Sequence, residues 1–117
     1  MKKIYFLGTC STCTRIMKEL SVDDSWVQQD IKTEGITPDQ IEEMMNLSGT
    51  YESLFSRRAM KFKSMGLKDK VLSEDDYKDL ILEEYTFLKR PVVIIDNSIF
   101  VGNSKKNVDS IKAFLNA

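Results

Sequence analysis

Lys3-Ile4-Tyr5-Phe6-Leu7-Gly8-Thr9-Cys10-Ser11-Thr12-Cys13, followed by Ile16, Met17 and Leu20 at helical spacing, is the stretch that decides the fold of this chain. The apolar, aromatic-rich run Lys3 to Leu7 ending at Gly8 reads as a buried strand leaving a sheet. Thr9 and Ser11 are capping residues, so a helix begins at or beside Cys10. Beyond the Asp23-Asp24-Ser25 turn, Trp26, Gln28 and Asp30 alternate with Val27, Gln29 and Ile31 as in a half-buried second strand. Two strands around one helix form a right-handed βαβ unit, with the strands parallel neighbours or next-neighbours.

Working outward, Thr37-Pro38-Asp39-Gln40 combines a cap, a proline at the first helical position and Gln at the third, with Ile41, Met44, Met45 and Leu47 following at helical spacing. The region from Thr37 to about Leu88 reads as helical throughout. A second helix is expected from Tyr51 to about Met65, ending at Gly66, and a third from Ser73 through Tyr77, Leu80, Ile81 and Leu82. Pro91 then opens Val92 to Ile95, Asp96-Asn97-Ser98 turns, and Ile99 to Val101 returns as the second arm of a hairpin. Asn103-Ser104 caps a last helix carrying Val108, Ile111, Phe114 and Leu115 on one face. The order is βαβ, a helical insert, and ββα. This is one α/β domain over residues 1–117, its core at about 1–35 and 89–117 and its insert at about 36–88.

A chain of 117 residues suits one core, and 42% hydrophobic with 30% charged residues is the composition of a folded globular protein rather than a disordered one. Seventeen basic against eighteen acidic residues give a net charge of −1 and no global pull toward nucleic acid or an anionic membrane. Charge is local instead. Arg57, Arg58, Lys61, Lys63, Lys68 and Lys70 stand with only Asp69 among residues 57–70, and Glu74, Asp75, Asp76, Asp79, Glu83 and Glu84 follow with only Lys78. The basic run is read as an oxyanion site, a surface for an acidic protein, or a solvated face. The start, Met1 to Leu7, has too short an apolar run for a signal peptide, and no run approaches membrane-spanning length, so a cytoplasmic location is expected.

In that compartment a pair of cysteines is more often catalytic or redox-sensing than structural. Histidine is absent, which removes the commonest general base and metal ligand, and two cysteines alone do not close a structural zinc site, so no metal is expected. The reactive form of cysteine is the thiolate, and a helix N-terminus stabilises it with unsatisfied N–H groups and partial positive charge. Cys10 falls there and is the expected nucleophile. Cys13, one turn further in, is the more buried, resolving thiol, close enough to bridge to Cys10. Arg15 and Lys18 are candidates for added positive charge nearby. A CxxC at a strand-to-helix turn of a βαβ unit is a thioredoxin-like signal, set against the plainer reading of two small buried residues. Pro91, entering a strand after the insert, is read as either a cis proline packed against the CxxC or a plain trans proline. Arg90 is read as an anion ligand near Cys10 or as a solvated side chain. Met44, Met45, Met60 and Met65 read as packing.

Together, the strand with Cys10-Ser-Thr-Cys13, the stretch Gly49 to Arg58, Gly66-Leu67-Lys68-Asp69-Lys70, Lys89-Arg90-Pro91 before a β run, and Val101-Gly102 before the last helix resemble the arsenate reductase (ArsC)/Spx family over nearly the whole chain. The resemblance implies a thioredoxin-like fold, a mixed four-stranded sheet with a helical insertion between its halves. By resemblance to the reductases, Cys10 matches the cysteine that attacks arsenate. Arg90 and Arg58 or Arg57 match two of the three arginines that cradle the oxyanion, and the third falls at about Gly102. The implied reaction is thiol–disulfide oxidoreduction with no bound cofactor. Its implied partners are a small oxyanion or protein disulfide and an external thiol reductant such as glutathione with glutaredoxin, or thioredoxin. By resemblance to the Spx branch, Cys10 and Cys13 match a redox switch, and Gly49 matches a glycine important for contact with the C-terminal domain of the RNA polymerase alpha subunit. Thr14 and Met44 depart from that branch, standing where basic residues are expected. With a net charge of −1, no direct nucleic-acid or membrane binding is expected.

Overall fold

In the computed structural model, which describes residues 1–116, the chain folds as two compact units, Met1–Glu34 with Arg90 onward, and Gly35–Lys89. The first contains β1 (Lys2–Phe6), α1 (Ser11–Glu19), β2 (Val27–Asp30), β3 (Val92–Ile95), β4 (Ser98–Val101) and α5 (Lys105–Leu115). The second contains α2 (Pro38–Ser48), α3 (Met60–Ser64) and α4 (Glu74–Glu83), with short 3₁₀ turns at Glu52–Leu54, Leu67–Asp69 and Tyr85–Phe87.

The four strands form one sheet in the order β2-β1-β3-β4. β1 pairs parallel with β2, Ile4 opposite Gln28, and antiparallel with β3, Ile4 opposite Val93. β3 and β4 form the antiparallel hairpin, Val93 opposite Phe100. The βαβ and ββα halves expected from the sequence are thus joined edge to edge through β1 and β3 in a mixed, thioredoxin-like sheet. Ile4, Val93 and Ile95 meet Ile16 and Leu20 of α1, Val108 and Ile111 of α5, and Trp26 in one apolar cluster, so both helices lie on the same sheet face. Side chains of this size each contribute about 1.5–3 kcal/mol on full burial, and that burial seats the first turn of α1 at the end of β1.

β2 departs from the alternation. Trp26, Gln29 and Ile31 are buried, whereas Val27 is 47% exposed. β2 is an edge strand, so Val27 lacks a neighbour on one side, and the buried Gln29 amide is satisfied by donating from Nε2 to the Glu34 carbonyl at 3.0 Å.

The middle of the chain is not helical throughout, and the expected helix from Tyr51 to Met65 does not exist as one element. Only Glu52–Leu54 and Met60–Ser64 are helical. Between them the backbone is extended at Phe55, where Phe55 and Leu88 form a β-bridge. Ser56 N donates to the Phe87 carbonyl at 2.7 Å and Lys89 N to the Leu54 carbonyl at 2.8 Å. The reason is Phe55, fully buried, stacked on Phe87 at 5.0 Å and tilted against Tyr77 at 4.9 Å. Burying that ring outweighs a weak local helix preference. α2 and α4 begin as expected, each with a reciprocal capping box, Thr37 with Gln40 and Ser73 with Asp76.

Candidate redox site at the first turn of α1

Leu7 ends the β1 run, and its carbonyl accepts from Cys10 N at 3.0 Å, closing a tight turn over Gly8 and Thr9. Cys10 then takes the cap position of α1 in an extended conformation (φ −93°, ψ 114°), and its carbonyl accepts from Thr14 N at 3.1 Å. No side chain caps this terminus, so the first-turn amides are left to face the cap residue's own sulfur. Both thiols are free; Cys10 is half-buried and Cys13 has no exposed surface.

The two thiols are held in opposite directions. Burial by itself raises the Cys10 pKa, but the Cys13 amide and thiol, the Thr12 amide and the Arg90 charge outweigh it and bring Cys10 below the ordinary cysteine value. Burial pushes Cys13 up to about 11 against a backbone hydrogen bond at Leu7, and the neighbouring Cys10 sulfur adds to the rise. One sulfur therefore gives up its proton more readily than an ordinary thiol, while the other holds its proton and donates toward the first. This is the asymmetry that thiol–disulfide exchange requires: an accessible attacking thiolate and a sheltered second thiol one turn away.

Arg90 supplies the charge at this site, and it precedes a buried Pro91 through a cis peptide bond. The Pro91 carbonyl accepts from Gly102 N at 2.9 Å, tying the β3 entry to the end of β4. Gly102 has φ 98°, and its carbonyl accepts from Asn107 Nδ2 at 2.7 Å. A side chain there has open space but an unfavourable backbone, so glycine suits this corner on conformational grounds.

Arg15 does not join the group. Its guanidinium runs along the exposed side of α1 to Glu19 Oε1 at 3.0 Å, and the positive charge felt by both cysteines comes from Arg90. Arg57 and Arg58 belong to the other unit. Arg57 pairs with Glu52 at 2.8 Å and also donates to the Tyr77 hydroxyl at 2.8 Å, whereas Arg58 is exposed. The Glu52–Arg57–Tyr77 network had no sequence signal, since its members lie up to 25 positions apart. Gly49 ends α2 at φ 102° and is exposed, and Met44 is fully buried within α2. Among the described residues no three His, Cys, Asp or Glu side chains gather as a metal site, and no helix is long and apolar enough to cross a membrane.

Residues 5–111 match the model of the ArsC family. The chain belongs to that family. Among curated relatives, the global transcriptional regulator Spx of Lactiplantibacillus plantarum is 26% identical over 115 residues, covering 96% of this chain and 84% of the relative. Among solved structures, the YffB (PA3664) protein superposes with a TM-score of 0.78 at 20% identity, over 97% of each chain, which speaks to the fold alone. A possible arsenate reductase from Streptococcus mutans superposes with a TM-score of 0.69 at 26% identity, over 93% of this chain and 98% of the other. ArsC-family membership thus comes with both regulator and reductase relatives.

Proposed function

We propose that this ArsC-family chain is a cytoplasmic thiol–disulfide oxidoreductase of the arsenate-reductase type, with Cys10 as nucleophile and Cys13 as internal resolving thiol. The observation that carries the reading is the opposed state of the two sulfurs, Cys10 lowered at the helix cap beside Arg90 and Cys13 buried and raised. With arsenate, the Cys10 thiolate would form a sulfur–arsenic bond with loss of water. Cys13 would then give up its proton and attack the Cys10 sulfur. The sulfur–arsenic electron pair passes to arsenic, and arsenite and a Cys10–Cys13 disulfide result. Arg90 holds the anion, Arg58 is the candidate second cation, and Pro91 shapes the β3 entry. No bound cofactor enters; an external thiol such as glutathione with glutaredoxin, or thioredoxin, returns the disulfide to the dithiol.

A second reading is favoured by a curated relative, a global transcriptional regulator matched over 84% of its length. In it, the same disulfide switches a surface that includes Gly49 and that binds the C-terminal domain of the RNA polymerase alpha subunit. A single-turnover reaction of the reduced protein with arsenate separates the two, following arsenite release and intact mass. Arsenite and disulfide in equal amounts support the reductase. A disulfide that forms with peroxide and never with arsenate sinks it, and polymerase binding that follows the redox state and is lost in Gly49→Arg then supports the switch.

A further inference from the structure

The segment from Arg58 to Val71 leaves both cations and large apolar side chains exposed. α3 contributes no buried residue, and it is held to the rest of its unit by Phe62, edge-on to Phe55 at 6.1 Å, and by Lys61, paired to Glu84 at 2.6 Å. Leu67 is buried, while most of the other side chains of the segment are exposed. Met60 is 89% exposed, Met65 42% and Val71 100%, and these make half of the six large apolar side chains that the described chain leaves exposed. Among the same residues stand Lys63, Lys68 and Lys70, all exposed and in no ion pair among the described residues, while Asp69 is the sole acid in the run.

We propose that this segment is a docking surface for an acidic protein segment that carries apolar side chains of its own. Lys63 and Lys68, in no ion pair among the described residues, and Lys70, whose charge also acts on the Asp76 carboxyl, ask for a negatively charged partner, and electrostatic complementarity of this kind steers encounter and fixes register. Three exposed apolar side chains close in sequence ask for something more than charge. A methionine-bearing patch of this sort adapts to varied apolar partners. Phosphate backbones would answer the lysines and leave Met60 and Val71 in water, whereas an acidic stretch with leucine, isoleucine or phenylalanine answers both. The surface lies wholly within the second unit and uses neither cysteine.

The test is selection of short random peptides displayed on phage against the immobilised full-length, reduced protein, followed by titration of the enriched peptides. Two double variants, Lys63→Glu/Lys68→Glu and Met60→Ser/Val71→Ser, are compared with the parent. All four positions are exposed, and unchanged thermal melting and Cys10 alkylation show that the variants are folded. The expected result is enrichment of peptides rich in Asp or Glu with apolar residues, whose binding falls at least tenfold in each double variant and falls also at about 0.5 M NaCl, where screening acts over a few ångströms. Enriched peptides without acidic bias, binding indifferent to either variant, or no enrichment at all overturns the proposal. So does duplex DNA binding more tightly than the best peptide, or a concentration-dependent dimer that both variants dissolve, since the occupant is then nucleic acid or a second copy.

Discussion

Cys13 makes the folded protein sensitive to alkaline pH in a way that can be isolated. Its thiol has no exposed surface, and burial moves its pKa from the ordinary 9.0 to about 11. Between those values the unfolded chain has released the proton and the native chain still holds it, so the native state binds more protons and stability falls as pH rises. Cys13 therefore leaves stability intact below about pH 9 and withdraws it as the pH passes through about 11. At about 1.4 kcal/mol per tenfold change, the loss across that window is up to about 3 kcal/mol. Other groups titrate there too, so the comparison is between Cys10→Ser and Cys10→Ser/Cys13→Ala. The shared first substitution also removes the part of the rise that the Cys10 sulfur causes, so the expected loss is most of that figure rather than all of it. Urea unfolding of both proteins, with a phosphine reductant present, gives the free-energy difference at each pH. A constant offset up to about pH 9, then a progressive loss in the Cys13-containing protein alone, is expected. A difference that stays flat to about pH 11, or that drops already near pH 8, would refute the claim that burial governs this thiol.

Arg90 is the weakest of the groups that offset the burial of Cys10, so Arg90→Gln should move the pH profile of Cys10 alkylation to higher pH and slow the reaction at neutral pH a few-fold, read by stopped alkylation and peptide mass. Phe55→Ala should cost about 3–5 kcal/mol in urea unfolding, because the ring is fully buried between Phe87 and Tyr77. Gly102→Ala should cost about 1 kcal/mol from φ 98° alone, since a methyl there meets no atom within 4 Å; a cost near zero would show that the corner relaxes freely.

What the sequence disclosed follows from where local signals and tertiary packing agree. β1, the turn and α1 were legible because an apolar run, a glycine and apolar residues at helical spacing succeed one another within twenty positions, although neither Thr9 nor Ser11 caps α1, whose cap position is Cys10 with no side-chain hydrogen bond; the hairpin and α5 were legible from equally local signals. The capping boxes of α2 and α4 located those helices to within a residue. Phe55 is where the reading failed. A residue that fits a helical pattern is pulled into an extended bridge by Phe87 and Leu88, more than thirty positions away, and no local signal encodes that partner. At the site, the placement of Cys10 and Cys13 on the first turn of α1 came from spacing. For the charge beside them the sequence offered Arg15, Lys18 and Arg90 without choosing among them. Arg15 is nearest in sequence yet is occupied by Glu19, whereas Arg90 arrives through the β1–β3 pairing.

The proposed chemistry requires Cys10 to be the more acidic, attacking sulfur and Cys13 the sheltered thiol. The most direct measurement is the rate of iodoacetamide alkylation at each cysteine of the fully reduced protein as a function of pH, resolved by peptide mass. Cys10 should react first, with a midpoint below that of an ordinary cysteine, while Cys13 stays unmodified until strongly alkaline pH or unfolding exposes it. Equal and slow reaction of both sulfurs, or Cys13 reacting ahead of Cys10, would contradict the division of roles and with it the proposed chemistry.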